Sequence, residues 1–151
     1  MARLIASFFG TGLILRRVRG RDIGSGTVAS LFALAVAVAA QPLGIPFQVG
    51  LLVASAIACL IAVRPFLLTE GDPPWVVIDE AAGTFLATIG LGLVPALVAW
   101  AVFRLADIFK RRFPGVAAAE ARLPGAVGVL GDDLVAGLYG LAAGWLLQGL
   151  L

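Results

Sequence analysis

Apolar residues in this chain come in runs rather than in alternation. Long runs cover residues 27–41, 47–63, 75–91, 95–109 and 125–151, with a shorter one at 1–15. Runs of this length and uniformity belong to helices that are apolar all round, because a surface helix keeps one polar face. The breaks are proline and glycine: Pro42, Gly44 and Pro46 after the first long run, Pro73 and Pro74 before the third, Gly92 and Pro95 after it. Several runs are short for a ~30 Å hydrocarbon layer, which needs about 20 residues. Some helices are therefore expected to begin outside the hydrocarbon or to be broken within it. The first run, MARLIASFFGTGLIL, is too short to span and is split by Gly-Thr-Gly. A charge-rich stretch follows it instead of preceding it, and no A-x-A cleavage site stands out, which argues against a signal peptide. It reads as a short interfacial or re-entrant helix.

The charges fall on alternate connections. Residues 42–46 and 91–95 carry none, whereas 16–26, 64–74 and 110–124 hold most of them. If each long run crosses a bilayer once, every charge from Arg16 onward gathers at one end. Short positive loops mark the cytoplasmic side. The charged end is thus expected to face the cytoplasm, with the C-terminus on the far side.

Composition agrees. Hydrophobic residues make up 61% of the 151, and charged residues only 13%, about half the usual share for a soluble domain. There is too little polar surface for a soluble globule, and too much apolar content for disorder. The length suits one domain, 1–151, and the many glycines suit close helix packing in lipid. The expected fold is all-α: a small polytopic integral membrane helical bundle, with about five membrane segments after the short N-terminal helix. The chain has no His and one Cys. That removes His bases and nucleophiles, Cys-cluster or His-ligated metals, and disulfides. Cys59, in VASAIACLIAV, reads as a small buried hydrophobe. Trp75, Trp100 and Trp145 read as interfacial or core aromatics. A net charge of +2, without aromatics interleaved among the basic residues, argues against nucleic acid.

Three acidic sites are then expected at the charged end: Asp79-Glu80 in IDEAAG, Asp107 in FRLADIFK, and Asp132-Asp133 in GDDLVAG. A carboxylate within an apolar helix costs about 2.5–3.5 kcal/mol even on the mildest scale. These groups must be paired, hydrated or bound to a cation. Asp79 and Gly83 are one helical turn apart, as are Asp133 and Gly137, so each acid shares a face with a glycine that admits a neighbouring helix. Arg104, Asp107 and Arg111 are spaced to share a face of a third helix. Carboxylates without His or Cys favour a hard cation, and Mg²⁺ takes one or two of them together with waters and phosphate. Arg beside the acids suits a phosphate group. GSGTVASL, with Ser25, Thr27 and Ser30, opens an apolar helix whose N–H groups favour an anion. Structural readings stand beside these. Arg104 and Asp107 can form a simple ion pair, and Asp132-Asp133 can cap a helix. Glu70 and Asp72 read as solvated loop charges, and Arg16–Arg21 as a topogenic, headgroup-facing run.

Four stretches in order resemble the phosphatidylglycerophosphatase A family: FGTGL with GSGTVASL, VVIDEAAG, FRLADIFK and GAVGVLGDDLVAGL. They cover most of the chain from Phe9 to Leu138. The resemblance implies a Mg²⁺-dependent phosphomonoesterase that converts phosphatidylglycerol phosphate to phosphatidylglycerol and phosphate. It also implies a multi-pass protein of the bacterial cytoplasmic (inner) membrane, with its site facing the cytoplasm. It carries over Thr27, Ser30, Asp79, Glu80, Gly83, Arg104, Asp107, Lys110, Gly128, Asp132, Asp133 and Gly137. On that basis Asp79, Glu80, Asp132 and Asp133 are the expected metal ligands, a set large enough for one ion or two. Asp79, Asp107, Asp132 and Asp133 are the expected catalytic acids. Thr27, Ser30, Arg104 and Lys110 are expected to bind substrate. The nucleophile is expected to be water activated on the metal, with an Asp as the competing choice. Two departures from the family pattern stand out. Ser25-Gly26-Thr27 replaces a Pro-Gly-Thr followed by Gly-Ser, and Arg111-Arg112-Phe113-Pro114 follows Lys110 where the family has Pro-x-Pro. The implied partners are the phospholipid substrate and membrane lipids, and a homo-oligomer is compatible with them. The rival readings are a small cation-transport or channel protein with a carboxylate-lined path, and a non-enzymatic membrane scaffold. A transport path would spread ionisable groups across the bilayer depth, whereas here the far side is bare.

Overall fold

The computed structural model describes residues 1–19, 24–69 and 73–151, and these are helical with no strand among them. The N-terminal segment is α1 (Ala2–Ala6), a 3₁₀ turn at Thr11–Leu13, and α2 (Ile14–Arg19). The bundle proper is α3 (Ser25–Ala39), α4 (Ile45–Ala62), α5 (Arg64–Thr69), α6 (Ile78–Ala87), α7 (Leu93–Ile108), α8 (Val116–Arg122) and α9 (Ala126–Gln148). Among the described residues, two stretches are long and apolar enough to cross a membrane, Ile45–Thr69 and Ala126–Gln148.

The short helix α6 is the centre of the bundle. At ~1.5 Å per residue it is about 15 Å long, half a hydrocarbon layer. It packs against α3, α4, α7 and α9, and all its residues except Glu80 and Leu86 are buried. It starts at Ile78 rather than at Trp75. Two hydrogen bonds account for this: Val76 N–H donates to Pro73 O at 2.9 Å, and Val77 N–H donates to Ala6 O at 2.9 Å. The Trp75–Val77 strip is thereby tied to the N-terminal segment. Gly12 lies against it so closely that a Cβ there would overlap the Trp75 carbonyl. Trp75 is itself buried, with Phe66 edge-on at 4.7 Å and Arg3 over its ring.

The charged and uncharged connections separate to opposite ends. At the uncharged end three glutamines hold the α6–α7 turn. Gln41 Nε2 donates to Leu91 O at 2.8 Å, Gly90 N–H donates to Gln48 Oε1 at 2.7 Å, and Gly92 N–H donates to Gln148 Oε1 at 2.7 Å. Trp145 Nε1 adds a bond to Ile89 O. These amides supply partners where backbone groups would otherwise be orphaned.

The polar connections are more helical than their charge suggests. The chain was expected to leave helix at Arg64-Pro65, yet Pro65 sits at the second position of α5, where its missing N–H costs nothing. Residues 110–124 were expected to be a loop, but the alanine-rich VAAAEAR forms α8, in keeping with the high helix propensity of Ala. The Arg-rich loop expected from residue 16 is still helix through Arg19. Arg21, Glu70 and Asp72 lie outside the described residues.

Candidate active site at the charged end

The charged end encloses a cavity of about 460 Å³. Three helices bring its acids together. Asp79 and Glu80 lie in the first turn of α6, where the partial positive charge of the helix N-terminus favours carboxylates. Asp132 and Asp133 lie six and seven residues past the start of α9 at Ala126, about two turns in, so neither is a cap. Arg104 and Asp107 close α7, with Arg104 Nη1 to Asp107 Oδ2 at 2.7 Å.

Asp79, Glu80 and Asp133 each offer an oxygen within 4.8 Å of the other two. Asp79 Oδ1, Glu80 Oε2 and Asp133 Oδ1 are buried with no hydrogen-bond partner among the described residues. Buried carboxylates gathered this closely are strongly unfavourable without a counter-charge. The cavity as a whole repeats the imbalance. Among the described residues, six carboxylates and two cationic side chains line it, a formal excess of four negative charges from these groups. Such a cavity repels an anion until a cation enters. All-oxygen donors suit a hard divalent ion, so the residues present fit a metal.

Asp132 is engaged differently from the other three expected metal ligands. Its Oδ2 accepts from Lys110 Nζ at 2.7 Å, and its Oδ1 accepts from the Asp133 N–H at 3.0 Å. Lys110 also reaches Glu120 Oε2 at 3.0 Å. Burial pulls the Lys110 ammonium down, but the bonds to Asp132 and Glu120 outweigh it and hold the group above the ordinary lysine value. Lys110 is therefore a fixed cation at neutral pH and not a proton acceptor.

Thr27 lines the cavity, as do Ser25 and Gly26. Ser25 Oγ bonds the Pro74 carbonyl and thereby ties the start of α3 to the approach to α6. Ser30 is not on the lining. It is fully buried, donates to Thr27 O at 3.1 Å and accepts from Trp100 Nε1 at 3.1 Å. The structure puts its hydroxyl in the α3–α7 contact, one turn away from where a phosphate-binding group was expected. Ser30→Ala is expected to cost about 1 kcal/mol of stability through the orphaned indole N–H. It should leave the KM for substrate within twofold, measured by phosphate release alongside a thermal melt. Arg111 does not join the Arg104–Asp107 face. α7 ends at Ile108, a 3₁₀ turn at Lys110–Arg112 redirects the chain, and Arg111 is exposed.

Among the lining residues that the sequence does not single out, Glu120 and Gly26 bear most on the site. Glu120 is the sole acid in 110–124, and only the folding of α8 against α9 and the Lys110 turn brings it to the cavity. Gly26 lies where Glu80 and Arg104 cross α3. A Cβ there would fall 3.1 Å from Arg104 Nη2 and overlap a Glu80 carboxylate oxygen. A glycine between two hydroxyl residues at the mouth of an apolar helix was its only mark.

The sequence matches a known family along nearly its whole length: residues 4–148 fit the family model for phosphatidylglycerophosphatase A. The chain belongs to that family. Membership makes it a phosphoric monoester hydrolase with phosphatidylglycerophosphatase activity. A phospholipid substrate is consistent with it. No curated protein and no solved structure matches the chain.

Proposed function

We propose that the chain is a Mg²⁺-dependent phosphatidylglycerol phosphate phosphatase, multi-pass in the bacterial inner membrane. Its site works at the cytoplasmic interface. The observation that carries this reading is the trio of carboxylate oxygens from α6 and α9, without partners among the described residues, in a cavity that also holds Arg104 and Lys110. Asp79, Glu80 and Asp133 would hold the ion. When bound, it supplies a Lewis acid for the phosphoryl oxygens and lowers the pKa of a water ligand.

The remaining residues bind and orient. Arg104, held by Asp107, presents its guanidinium to the phosphate. Lys110, fixed between Asp132 and Glu120, adds a second positive charge where negative charge builds up in the transition state. Asp132 thus acts by aiming Lys110. Thr27 adds a hydroxyl donor from the start of α3. In the reaction a water oxygen bonds to phosphorus and gives up one proton, the phosphorus–oxygen bond to the terminal glycerol breaks, and the glycerol oxygen takes up a proton in balance, the water's other proton leaving with the phosphate. The products are phosphatidylglycerol and inorganic phosphate. An interfacial site lets the hydrocarbon of the lipid stay at membrane depth while only the headgroup enters the charged cavity. Arginines in α2 and the adjoining stretch suit the cytoplasmic side.

Transport is the weaker reading. The uncharged end is lined by glutamine amides already engaged with backbone, and a path needs ionisable groups through the bilayer depth.

The test is phosphate release from phosphatidylglycerol phosphate by the purified chain in lipid. Release is expected with Mg²⁺, should cease with a chelator, and should return when Mg²⁺ is restored. Release that persists undiminished in excess chelator would sink the metal assignment, and no release under any condition would sink the activity for this chain.

A further inference from the structure

A second cavity, about 490 Å³, lies beside the first and is almost wholly apolar. Phe8, Phe9, Phe32, Val36, Ile78 and Phe85 contribute to its wall. Among the described residues its one polar side chain, Ser55, has its hydroxyl turned to the Leu52 carbonyl at 2.9 Å. We infer that this cavity holds an acyl chain of the same phospholipid whose phosphate enters the charged cavity. The inference rests on the function proposed above.

Continuity between the two cavities supports it. Ile78 lines the apolar cavity, and the next two residues, Asp79 and Glu80, line the charged one. On α3, Ser25 rims the charged cavity, while Phe32 and Val36, seven and eleven residues on, line the apolar one. Those spacings return to the same helix face, and they carry the wall about 10 to 16 Å further from the charged end. An amphiphile with its phosphate at one end and hydrocarbon at the other fits that polarity. The substrate sets a glycerol, a phosphodiester and a second glycerol between its scissile phosphate and its acyl esters, which is a linker suited to the gap.

The cavity also opens sideways. Phe9 is 70% exposed and Phe32 50%, and Ala54 is exposed on α4. The N-terminal turn shapes this mouth at a conformational cost. Phe8 and Phe9 both have positive φ, 45° and 57°, ahead of Gly10 at 89°. Bulky residues persist in that region only where the surroundings fix them. The turn sends Phe8 inward, edge-on to Phe32 and Phe85, and leaves Phe9 at the opening.

Two measurements decide the inference on the full chain in phosphatidylcholine vesicles. Phosphatidylglycerol phosphate with a diazirine midway along one acyl chain is expected to label Phe8, Phe9, Phe32 or the Ala54–Ala58 turn. Unlabelled substrate should suppress that labelling, and added phosphatidylcholine should not. Adducts confined to other helices, or equal suppression by both lipids, would overturn the inference. In Ala58→Phe and Ala54→Phe, which fill the cavity from α4, the ratio of long-chain to dibutanoyl substrate kcat/KM should fall about tenfold. An unchanged ratio in a folded variant would also overturn it. If the wild-type chain releases no phosphate from either substrate, the proposed function fails, and the position of the photoadducts still decides the cavity.

Discussion

Asp133→Asn is expected to lower phosphate release by about 10²–10³-fold, the scale of losing one contact that stabilises the transition state. Its second consequence is on stability. Asp79, Glu80 and Asp133 gather within 4.8 Å, so without metal they repel one another. Removing one charge should raise the melting temperature of the metal-free protein, or at least not lower it. With Mg²⁺ the order reverses. An ion that binds only the folded state adds about 2.7 kcal/mol at a hundred times its Kd, and the variant should lose most of that gain. Melting curves with and without Mg²⁺ therefore separate a damaged fold from a damaged site. Asp132→Asn serves as the contrast. Its oxygens bond Lys110 and a backbone N–H, so it should lose activity and keep its Mg²⁺-dependent shift. A full Mg²⁺ shift in both Asp133→Asn and Asp79→Asn would remove the metal from these residues.

Much of this was legible in the sequence because few physical constraints produce it. Apolar runs broken by Pro and Gly fix the helices to within a few residues, and the charge-free connections at 42–46 and 91–95 correctly foretell which turns share an end. The acids converge because each is too costly in an apolar helix to be left alone. What the sequence could not show was side-chain direction. Asp132 and Asp133 are adjacent in sequence but about 100° apart on a helix, so one faces Lys110 and the other faces α6. Ser30 and Thr27 carry the same chemistry at the same helix start. One turn of α3 sends Ser30 to Trp100, and only tertiary packing decides that. Arg111 was misplaced because its spacing assumed an unbroken helix past Ile108. Glu120 was missed because its helix, α8, looked like a charged loop.

The glycines below the acids carry the other large expected effect. A Cβ on Gly137 would lie 2.7 Å from Gly83 O, and one on Gly83 would lie 2.8 Å from Asp133 O. Both obstacles are backbone, so neither can swing aside, and α6 and α9 would have to part until the contact reached the 3.4 Å where ordinary packing begins. Asp79 stands one turn above Gly83, and Asp133 one turn above Gly137. Any parting of these helices therefore opens the carboxylate cluster. A misplacement near 1 Å is enough to cost about 10²-fold in rate, so Gly137→Ala should reduce phosphate release on that scale and shrink the Mg²⁺-dependent melting shift. Gly50→Ala is the matched control. It also lies within a helix, α4, but a Cβ there meets nothing within 4 Å. It should keep full activity and gain up to about 1 kcal/mol from helix propensity. If Gly137→Ala behaved like Gly50→Ala in both assays, the close crossing of α6 and α9 would not be what assembles the site. The cluster would then need another explanation for its geometry.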